Sequence, residues 1–356
     1  MEFIKPGINL NFVGRRRLAY AFSGLLILLS VASLLVRGGP NYGVDFAGGL
    51  LVQVNFQKPI TSQEIRDALS QLGLAAATIQ KSEPVIPEQE EHVFLIRVPM
   101  ESQDLEALSK RITDALGQKF GRGSFEVDRV EMVGPKVGKE LRQKALFAIF
   151  YAMMFILIYI SGRFELKWLM SIAVAGSLMA AAWAASLAGA GVTFLIVVAL
   201  VVALLLCFVF QLKYALGAVL ALIHDVTITV GIFSVLDKEI TLSIVAALLT
   251  IVGYSLNDTI IVFDRIRENL RKNRRREFGL LINESINETL SRTVLTSGTT
   301  LLVVVALYVL GGAVISDFAL AMLVGIGVGT YSSIFVASPV LLIWPPEGTR
   351  RPARTR

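Results

Sequence analysis

The stretch TLSIVAALLTIVGYSLNDTIIVF at 241–263 decides the fold of this chain, because it is long and apolar yet contains a carboxylate, Asp258. A membrane-crossing helix needs about 20 mainly apolar residues. A charge near the middle of a bilayer costs roughly 2.5–3.5 kcal/mol on insertion scales, so such residues usually face a bundle interior or a water path. Asp258 is therefore the first candidate functional residue.

Seven further stretches have the same length and apolar character. Among the 356 residues, 54% are hydrophobic and 17% are charged, whereas about a quarter are charged in soluble proteins. The sequence predicts an α-helical polytopic membrane protein with about eight transmembrane helices, at 18–36, 145–161, 168–188, 192–210, 214–236, 241–263, 293–311 and 318–344.

The net charge of +6 follows the membrane topology. If the N-terminus is cytoplasmic, the basic clusters fall on the cytoplasmic side, as the positive-inside rule requires. The loop at 271–276 also has the charge to contact anionic lipid, a ribosome or RNA, but topology accounts for its charge and we expect no nucleic-acid partner. The clusters are at 15–17, Arg163, Lys167, Lys213, 265–276 and 350–356.

Several kinds of chemistry are not expected. The lone cysteine, Cys207, cannot form an internal disulfide, and His92 and His224 are too few for a polyhistidine metal site. The sequence has no Walker motif, so ATP hydrolysis is not expected. The chain is predicted not to be an enzyme and to have no cofactor. Any energy must come from an ion gradient or from a partner.

The one sizeable soluble region lies between the first two spans, at 38–142. Its pattern is strand, helix, strand, strand, helix, strand. Val52, Val54 and Phe56 alternate with polar residues, as in a half-buried strand. Thr61 and Glu64 have the spacing of a helix-capping box, and a phase slip at 128–129 indicates a β-bulge. The order predicts one α+β ferredoxin-like extracytoplasmic domain.

The strongest polar constellation surrounds Asp258. Asp258 lies about six residues, or roughly 9 Å, from the inner end of its span, and Arg292 begins the next span from that same side. A nearby guanidinium favours the ionised carboxylate and burial favours the neutral one, so the acid can load and release a proton when its partner moves. Alternatively, Arg292 reaches the interface and Asp258 joins Asn257 in inter-helix contacts. The constellation comprises Ser255, Asn257, Asp258, Arg292, Thr296, Ser297 and Thr299.

A second acid lies deeper in the bundle, in the pair His224–Asp225. Adjacent helical residues point about 100° apart, so we expect no more than one of the two to face a given cavity. Asp225 is either a second proton-binding residue on the path or an inter-helix hydrogen-bond partner for hydroxyls such as that of Thr250. Gly325, Gly327 and Gly329 lie inside an apolar run and indicate close helix packing rather than nucleotide binding.

Taken together, the motifs resemble the SecF branch of the SecD/SecF family of the bacterial Sec protein-export pathway, within the RND superfamily. They occur in order along most of the chain. The matching segments are YGVDFAGG at 42–49, VGPKVGKEL at 133–141, ALGAV at 215–219 with HD at 224–225, SLNDT at 255–259, FDRIREN at 263–269, and SRT at 291–293 with TS at 296–297.

The resemblance implies an RND-like half bundle in the bacterial inner membrane, with both termini cytoplasmic. It implies proton-driven preprotein translocation with SecD and the SecYEG channel, with YajC and YidC as further partners and the lipid bilayer as surroundings. Asp258 and Arg292 match the family's proton-relay positions, and Asp225, Asn257 and Thr296 support them. Protons are the expected coupling ion, with sodium as the alternative. The rival functions are an RND-like small-molecule or lipid exporter and a passive scaffold that stabilises the translocon.

The chain departs from the family in one place. The usual SecF has six spans, and this chain has two more, an extra transmembrane hairpin at 164–213. An even number of added spans preserves the orientation of everything downstream. The predicted divisions are an N-terminal segment with the first helix at 1–37, the extracytoplasmic domain at 38–142, the second helix at 143–163, the extra hairpin at 164–213, the core helices at 214–344 with a cytoplasmic connector at 264–290, and a basic tail at 345–356.

Overall fold

A computed structural model describes residues 9–72, 74, 77–82, 92–98, 105–189 and 191–346. The predicted first eight residues and most of the predicted basic tail lie outside these ranges. Within them, eight helices are long and apolar enough to cross a membrane.

The first half of the chain contains both helices and strands, and the elements of the second half are helical. The first half contains α1 (Arg16–Val36), α2 (Val44–Ala47), β1 (Gly49–Phe56), α3 (Ser62–Ser70), β2 (Thr78–Ser82), β3 (His92–Val98), α4 (Leu105–Phe120), β4 (Phe125–Val133) and α5 (Pro135–Glu165). The second half contains α6 (Trp168–Leu187), α7 (Val192–Val209), α8 (Lys213–Val235), α9 (Leu242–Lys272), α10 (Phe278–Leu310) and α11 (Gly312–Ser332), which continues into a π-helical turn at Ser333–Ala337.

The four strands form one antiparallel sheet in the order β2-β3-β1-β4. Alternation along β1 places Leu50, Val52 and Val54 in a buried layer, as the period of two requires. The register between β1 and β4 shifts between Gln53 and Val54. Asp128 is thereby left without a paired residue in the register of β1, which confirms the predicted bulge.

Two helices cover the buried face of this sheet. The Thr61 side chain accepts a hydrogen bond from the Glu64 backbone and Glu64 bonds back to Thr61, so the predicted capping box forms. Ile65 and Leu69 from α3 and Ile112 from α4 are fully buried against the strands. The region therefore has a hydrophobic core of its own.

Close helix contacts define the bundle of spanning helices. The most enclosed is α8, with 67% of its apolar window buried, compared with 28% for α7. A Cβ added at Gly217 would lie 2.7 Å from the Ala337 carbonyl oxygen, and one at Gly329 would lie 2.9 Å from the Ser255 Cβ. A Cβ at Gly325 would collide with Ile251, whereas Gly327 faces open space. Small residues therefore allow α11 to approach α9 and α8.

The hairpin α6–α7 packs on the outside of this bundle. Its two ends lie together, because the Lys167 ammonium donates to the Phe210 carbonyl oxygen at 2.9 Å. Directly beside it, Glu165 at the end of α5 accepts a hydrogen bond from the Tyr214 backbone N–H at 3.0 Å. The chain leaves the core after α5 and re-enters it at α8 without separating these two helices.

Alanine at two neighbouring glycines of α11 tests the packing. Gly325→Ala places a methyl group against Ile251, and overpacking of this kind costs typically 1–3 kcal/mol. Gly327→Ala meets nothing and reduces the freedom of the unfolded chain, which stabilises by about 0.4–1 kcal/mol. Thermal unfolding of the detergent-purified protein should show opposite shifts. A Gly325→Ala protein at least as stable as the parent would contradict this packing.

Candidate functional site: two buried acids in the helix bundle

Asp258 lies where α9, α10 and α11 meet, and only 1% of its surface is exposed. The Ser297 hydroxyl of α10 donates to Asp258 Oδ2 at 3.2 Å. The Thr330 hydroxyl of α11 in turn donates to Ser297 Oγ at 2.7 Å. The acid thus belongs to a short polar cluster that joins three helices, and it does not face lipid.

Arg292 lies near this cluster but does not pair with the acid. Its side chain is exposed, and it makes no ion pair within 4 Å with any described residue. It acts on Asp258 electrostatically from a greater distance. The separation has a simple cause: Arg292 is five residues before Ser297 on α10, which is about 7.5 Å along the helix axis.

The weaker predicted members are not part of the cluster. Asn257 is exposed, beside the buried Asp258 on α9. The Thr296 hydroxyl bonds to backbone oxygens of its own helix, at Arg292 and Thr293. Thr293, which was not among the predicted site residues, is 1% exposed, and its hydroxyl has no partner among the described residues. Thr293 precedes Ser297 by one turn and lies on the same face of α10.

Asp225 forms a second cluster and is completely buried. The Ser255 hydroxyl donates to Asp225 Oδ2 at 2.6 Å, and the Ser332 hydroxyl donates to the same oxygen at 2.8 Å. The suggested bond to Thr250 is wrong, because the Thr250 hydroxyl is exposed and bonds to the Ala246 oxygen of its own helix. Five helical residues turn by about 500°, so Thr250 and Ser255 face different directions.

His224 extends this second cluster towards α1. Its Nδ1 lies 2.9 Å from Asp225 Oδ1, and its Nε2 lies 3.1 Å from the Ser23 hydroxyl. Ser23 donates to the Tyr331 hydroxyl at 3.1 Å, and Tyr331 donates to the Ala19 oxygen at 2.8 Å. The two side chains bond to each other, because the imidazole folds back onto the neighbouring carboxylate, and the expectation that no more than one of them faces a given cavity stays a prediction.

The two clusters share the contact between α9 and α11. Ser255 and Asp258 are three residues apart on α9 and so lie on one face. Thr330 and Ser332 supply the facing hydroxyls from α11. Sequence reasoning missed these two residues and Tyr331, although TYSS at 330–333 is a polar interruption in an apolar run.

The start of α9 is tied to the soluble region. Asp45 Oδ2 accepts a hydrogen bond from the Leu242 backbone N–H at 2.8 Å, at the N-terminus of the helix that contains Asp258. The backbones of Gly43 and Ile240 bond at 2.9 Å. Arg97 on β3 forms an ion pair with Glu239 in the α8–α9 connection, and burial lowers the pKa of this guanidinium. The sheet and α9 are therefore mechanically connected.

The opposite end of α9 is held by charged side chains. Arg163 at the end of α5 pairs with Asp264 at 2.7 Å. Arg265 pairs with Glu288 of α10 at 2.6 Å, and Asn269 donates to the same carboxylate at 2.6 Å. These exposed or half-buried contacts fix the connector between α9 and α10 and do not reach the buried acids.

The fold combines a bundle of membrane-spanning helices with a soluble α+β region, and the bundle encloses buried carboxylates. These features define a class of polytopic membrane proteins with acidic residues inside the bundle. Comparisons with known proteins specify the family. The family model "Protein export membrane protein SecD/SecF, C-terminal" matches residues 112–181 and 176–347, and the "SecD/SecF GG Motif" model matches residues 32–60. The two ranges of the first match overlap within α6, in the hairpin α6–α7.

Named relatives agree with this assignment. The protein translocase subunit SecF of Magnetococcus marinus is 44% identical over 356 residues, covering 99% of this chain and 97% of the relative. That of Vibrio alginolyticus is 40% identical over 341 residues, covering 96% and 91%. The crystal structure of SecDF, a translocon-associated membrane protein from Thermus thermophilus, matches with a TM-score of 0.66 and 34% identity, and covers 95% of this chain. This chain spans 39% of that SecDF chain. The chain belongs to the SecF family of protein translocase subunits.

Removal of the hydroxyl from either of two adjacent serines, Ser332 at the end of α11 and Ser333 at the start of the π-helical turn, tests the Asp225 cluster. Ser332→Ala deletes a hydrogen bond to a buried carboxylate and should lower the free energy of unfolding by about 1–3 kcal/mol. Ser333→Ala is the matched control, because its hydroxyl bonds to the Thr330 oxygen of its own helix and should cost less. Denaturant titration in detergent measures both. Equal losses in the free energy of unfolding for the two variants would contradict the hydrogen bond between Ser332 and Asp225.

Proposed function

We propose that this chain is an accessory subunit of the Sec translocase that couples proton flow across the bacterial inner membrane to preprotein translocation and release, together with SecD and the SecYEG channel. In this proposal the bundle is an RND-like half, the termini are cytoplasmic, and the α+β region is a ferredoxin-like domain on the outer face. The strand order β2-β3-β1-β4 with two helices on one face supports that domain assignment. YajC, YidC and the translocating preprotein are further proposed partners.

The observation that carries the proposal is the environment of Asp258. Asp258 is 1% exposed and accepts a hydrogen bond from one neutral hydroxyl, so its surroundings stabilise the ionised carboxylate only weakly. Arg292 is near enough to act on that charge but is not bonded to it. A small movement of α10 along α9 changes their separation, and with it the relative stability of the protonated and ionised acid.

Thr293 and Thr330 extend the polar surface on either side. The Thr293 hydroxyl lies between Arg292 and Ser297 on α10 without a partner in the described part of the chain, and so remains able to bond a moving group. The Thr330 hydroxyl reaches Ser297 from α11. Proposed proton transfer therefore involves Asp258, Ser297 and Arg292 first, with sodium at the same carboxylate as the alternative coupling ion.

Asp225 has a different environment, which favours a structural role. Three hydrogen-bonding groups surround its two oxygens: the hydroxyl donors of Ser255 and Ser332 and the His224 imidazole. A buried acid that is fully bonded holds its helices together rather than exchanging protons freely. We assign Asp225 to the inter-helix framework that keeps α9 and α11 in register beside Asp258.

The fastening of α9 to the sheet supplies the mechanical connection. A shift of α9 moves the Leu242 N–H that bonds to Asp45 and the Glu239 carboxylate that pairs with Arg97. One charge that crosses the membrane field yields about 2.3 kcal/mol per 100 mV, enough to bias a two-state motion by tens-fold. The proposed output is a movement of the outer domain while it holds emerging preprotein.

Replacement of Asp258 by Asn tests the proton role. The amide keeps the shape and the Ser297 contact but cannot titrate, so Asp258→Asn should assemble normally and lose gradient-stimulated export in membrane vesicles. Glu268→Gln is the matched control on the same helix, because its exposed carboxylate pairs with Arg265 and Lys272 of α9 itself and its loss should leave export unchanged. Vesicles with a sodium gradient in place of a proton gradient separate the two ions. Normal gradient-stimulated export by Asp258→Asn would favour the passive scaffold.

The ion pair between the sheet and the α8–α9 connection provides a second test. Glu239→Gln should reduce gradient-dependent export because it weakens the link to Arg97, and exchange of the two charges (Arg97→Glu with Glu239→Arg) should restore it. Asp237→Asn is the control, since the Arg37–Asp237 pair is solvent-exposed and such pairs contribute little. Undiminished export by Glu239→Gln would show that motion is not transmitted here.

A further inference from the structure

A cavity of about 220 Å³ lies between α5, α7, α8 and α9, at the end of the bundle that bears the sheet. Its walls are almost entirely aliphatic. Ile149 and Met153 come from α5, Ile196 and Leu200 come from α7, and Val226 comes from α8. The extra hairpin therefore supplies one wall of a cavity whose other walls belong to the core of the family fold.

One cation stands among these apolar residues. Arg142 of α5 lines the cavity and stacks over the Tyr42 ring, with its Cζ 5.1 Å from the ring centroid. It is half-buried, and its guanidinium makes no ion pair or hydrogen bond with any residue in the described part of the chain. Arg142 precedes Ile149 by seven residues, which places it about 10.5 Å nearer the sheet end along the helix.

This arrangement resembles the division within a lipid molecule, with charge at one level and hydrocarbon at the next. A guanidinium prefers a phosphate because its donors match the phosphate oxygens, and the mainly apolar wall, which includes the Thr227 hydroxyl, favours hydrocarbon over a polar ligand. A partner helix is a poor fit, because a helix with its side chains is about 10–12 Å across. A single acyl chain is narrow enough to enter.

We propose that α7 and the family core together form a phospholipid site, with an acyl chain in the cavity and the lipid phosphate on Arg142. Ile196 and Leu200 hold the chain against α5 and α8. Tyr42 fixes the guanidinium from the opposite side through the ring contact. The extra hairpin thereby acquires a specific role in the binding of one lipid at the sheet end of the bundle.

Native mass spectrometry of the full-length chain, delipidated in detergent and titrated with dioleoylphosphatidylglycerol, tests the site. Arg142→Gln removes the phosphate contact and should weaken retention of one lipid by about ten-fold. Leu200→Trp fills the cavity and should do the same. The matched controls are Lys144→Gln, an exposed cation on the same helix, and Val201→Trp, whose parent side chain is 51% exposed on α7. Both controls should bind as the parent does.

Two further ligands identify the source of the affinity. Dioleoylglycerol has the chains without the phosphate, and inorganic phosphate has the charge without the chains, so the proposal requires both to bind far more weakly than the phospholipid. Equal retention by Arg142→Gln and Lys144→Gln, in proteins with parental thermal stability, would overturn the proposal. Retention of dioleoylglycerol equal to that of the phospholipid would also overturn it.

Discussion

The bundle depends on hydrogen bonding of carboxylates that are removed from both water and lipid. Asp225 meets this requirement with hydroxyl donors from α9 and α11 and a hydrogen bond to the His224 imidazole of α8. The Ser332 hydroxyl reaches it where α11 approaches α9 closely, with Gly329 against Ser255. Asp258 lies one turn further along the same contact with a single hydroxyl donor. In the proposed function the firmly bonded acid holds the helices together and the weakly bonded one exchanges the proton.

Helix α9, which forms one side of this contact, also links the membrane-spanning bundle to the soluble region. The helix that contains Asp258 begins at residues held by Asp45 and Arg97. Near its other end, charged side chains join α9 to α10. The hairpin α6–α7 leaves this arrangement intact, because its ends meet at Lys167 and Phe210, beside the contact between Glu165 and Tyr214. The hairpin α6–α7 is thus accommodated at the periphery of the bundle.

Much of the architecture follows from local sequence patterns, whereas the partners of the site residues do not. Apolar run length predicted the eight long helices, and spacing predicted the Thr61–Glu64 cap and the bulge at Asp128, because each depends on residues close in the chain. The donors to Asp225 come from helices that are distant in sequence, so helical position alone suggested Thr250 wrongly and missed Ser332. Arg292 was expected at the depth of Asp258, but its position five residues before Ser297 keeps it outside ion-pair distance.

The central claim is that Asp258 changes its protonation state inside the folded bundle. Infrared difference spectroscopy of the reconstituted protein across a pH step, through the stretching band of the protonated carboxyl group, measures this directly. The account predicts a reversible band that disappears when Asp258 is replaced by Asn and persists when Asp225 is replaced by Asn. A spectrum without such a band, or one that depends on Asp225 alone, would contradict it.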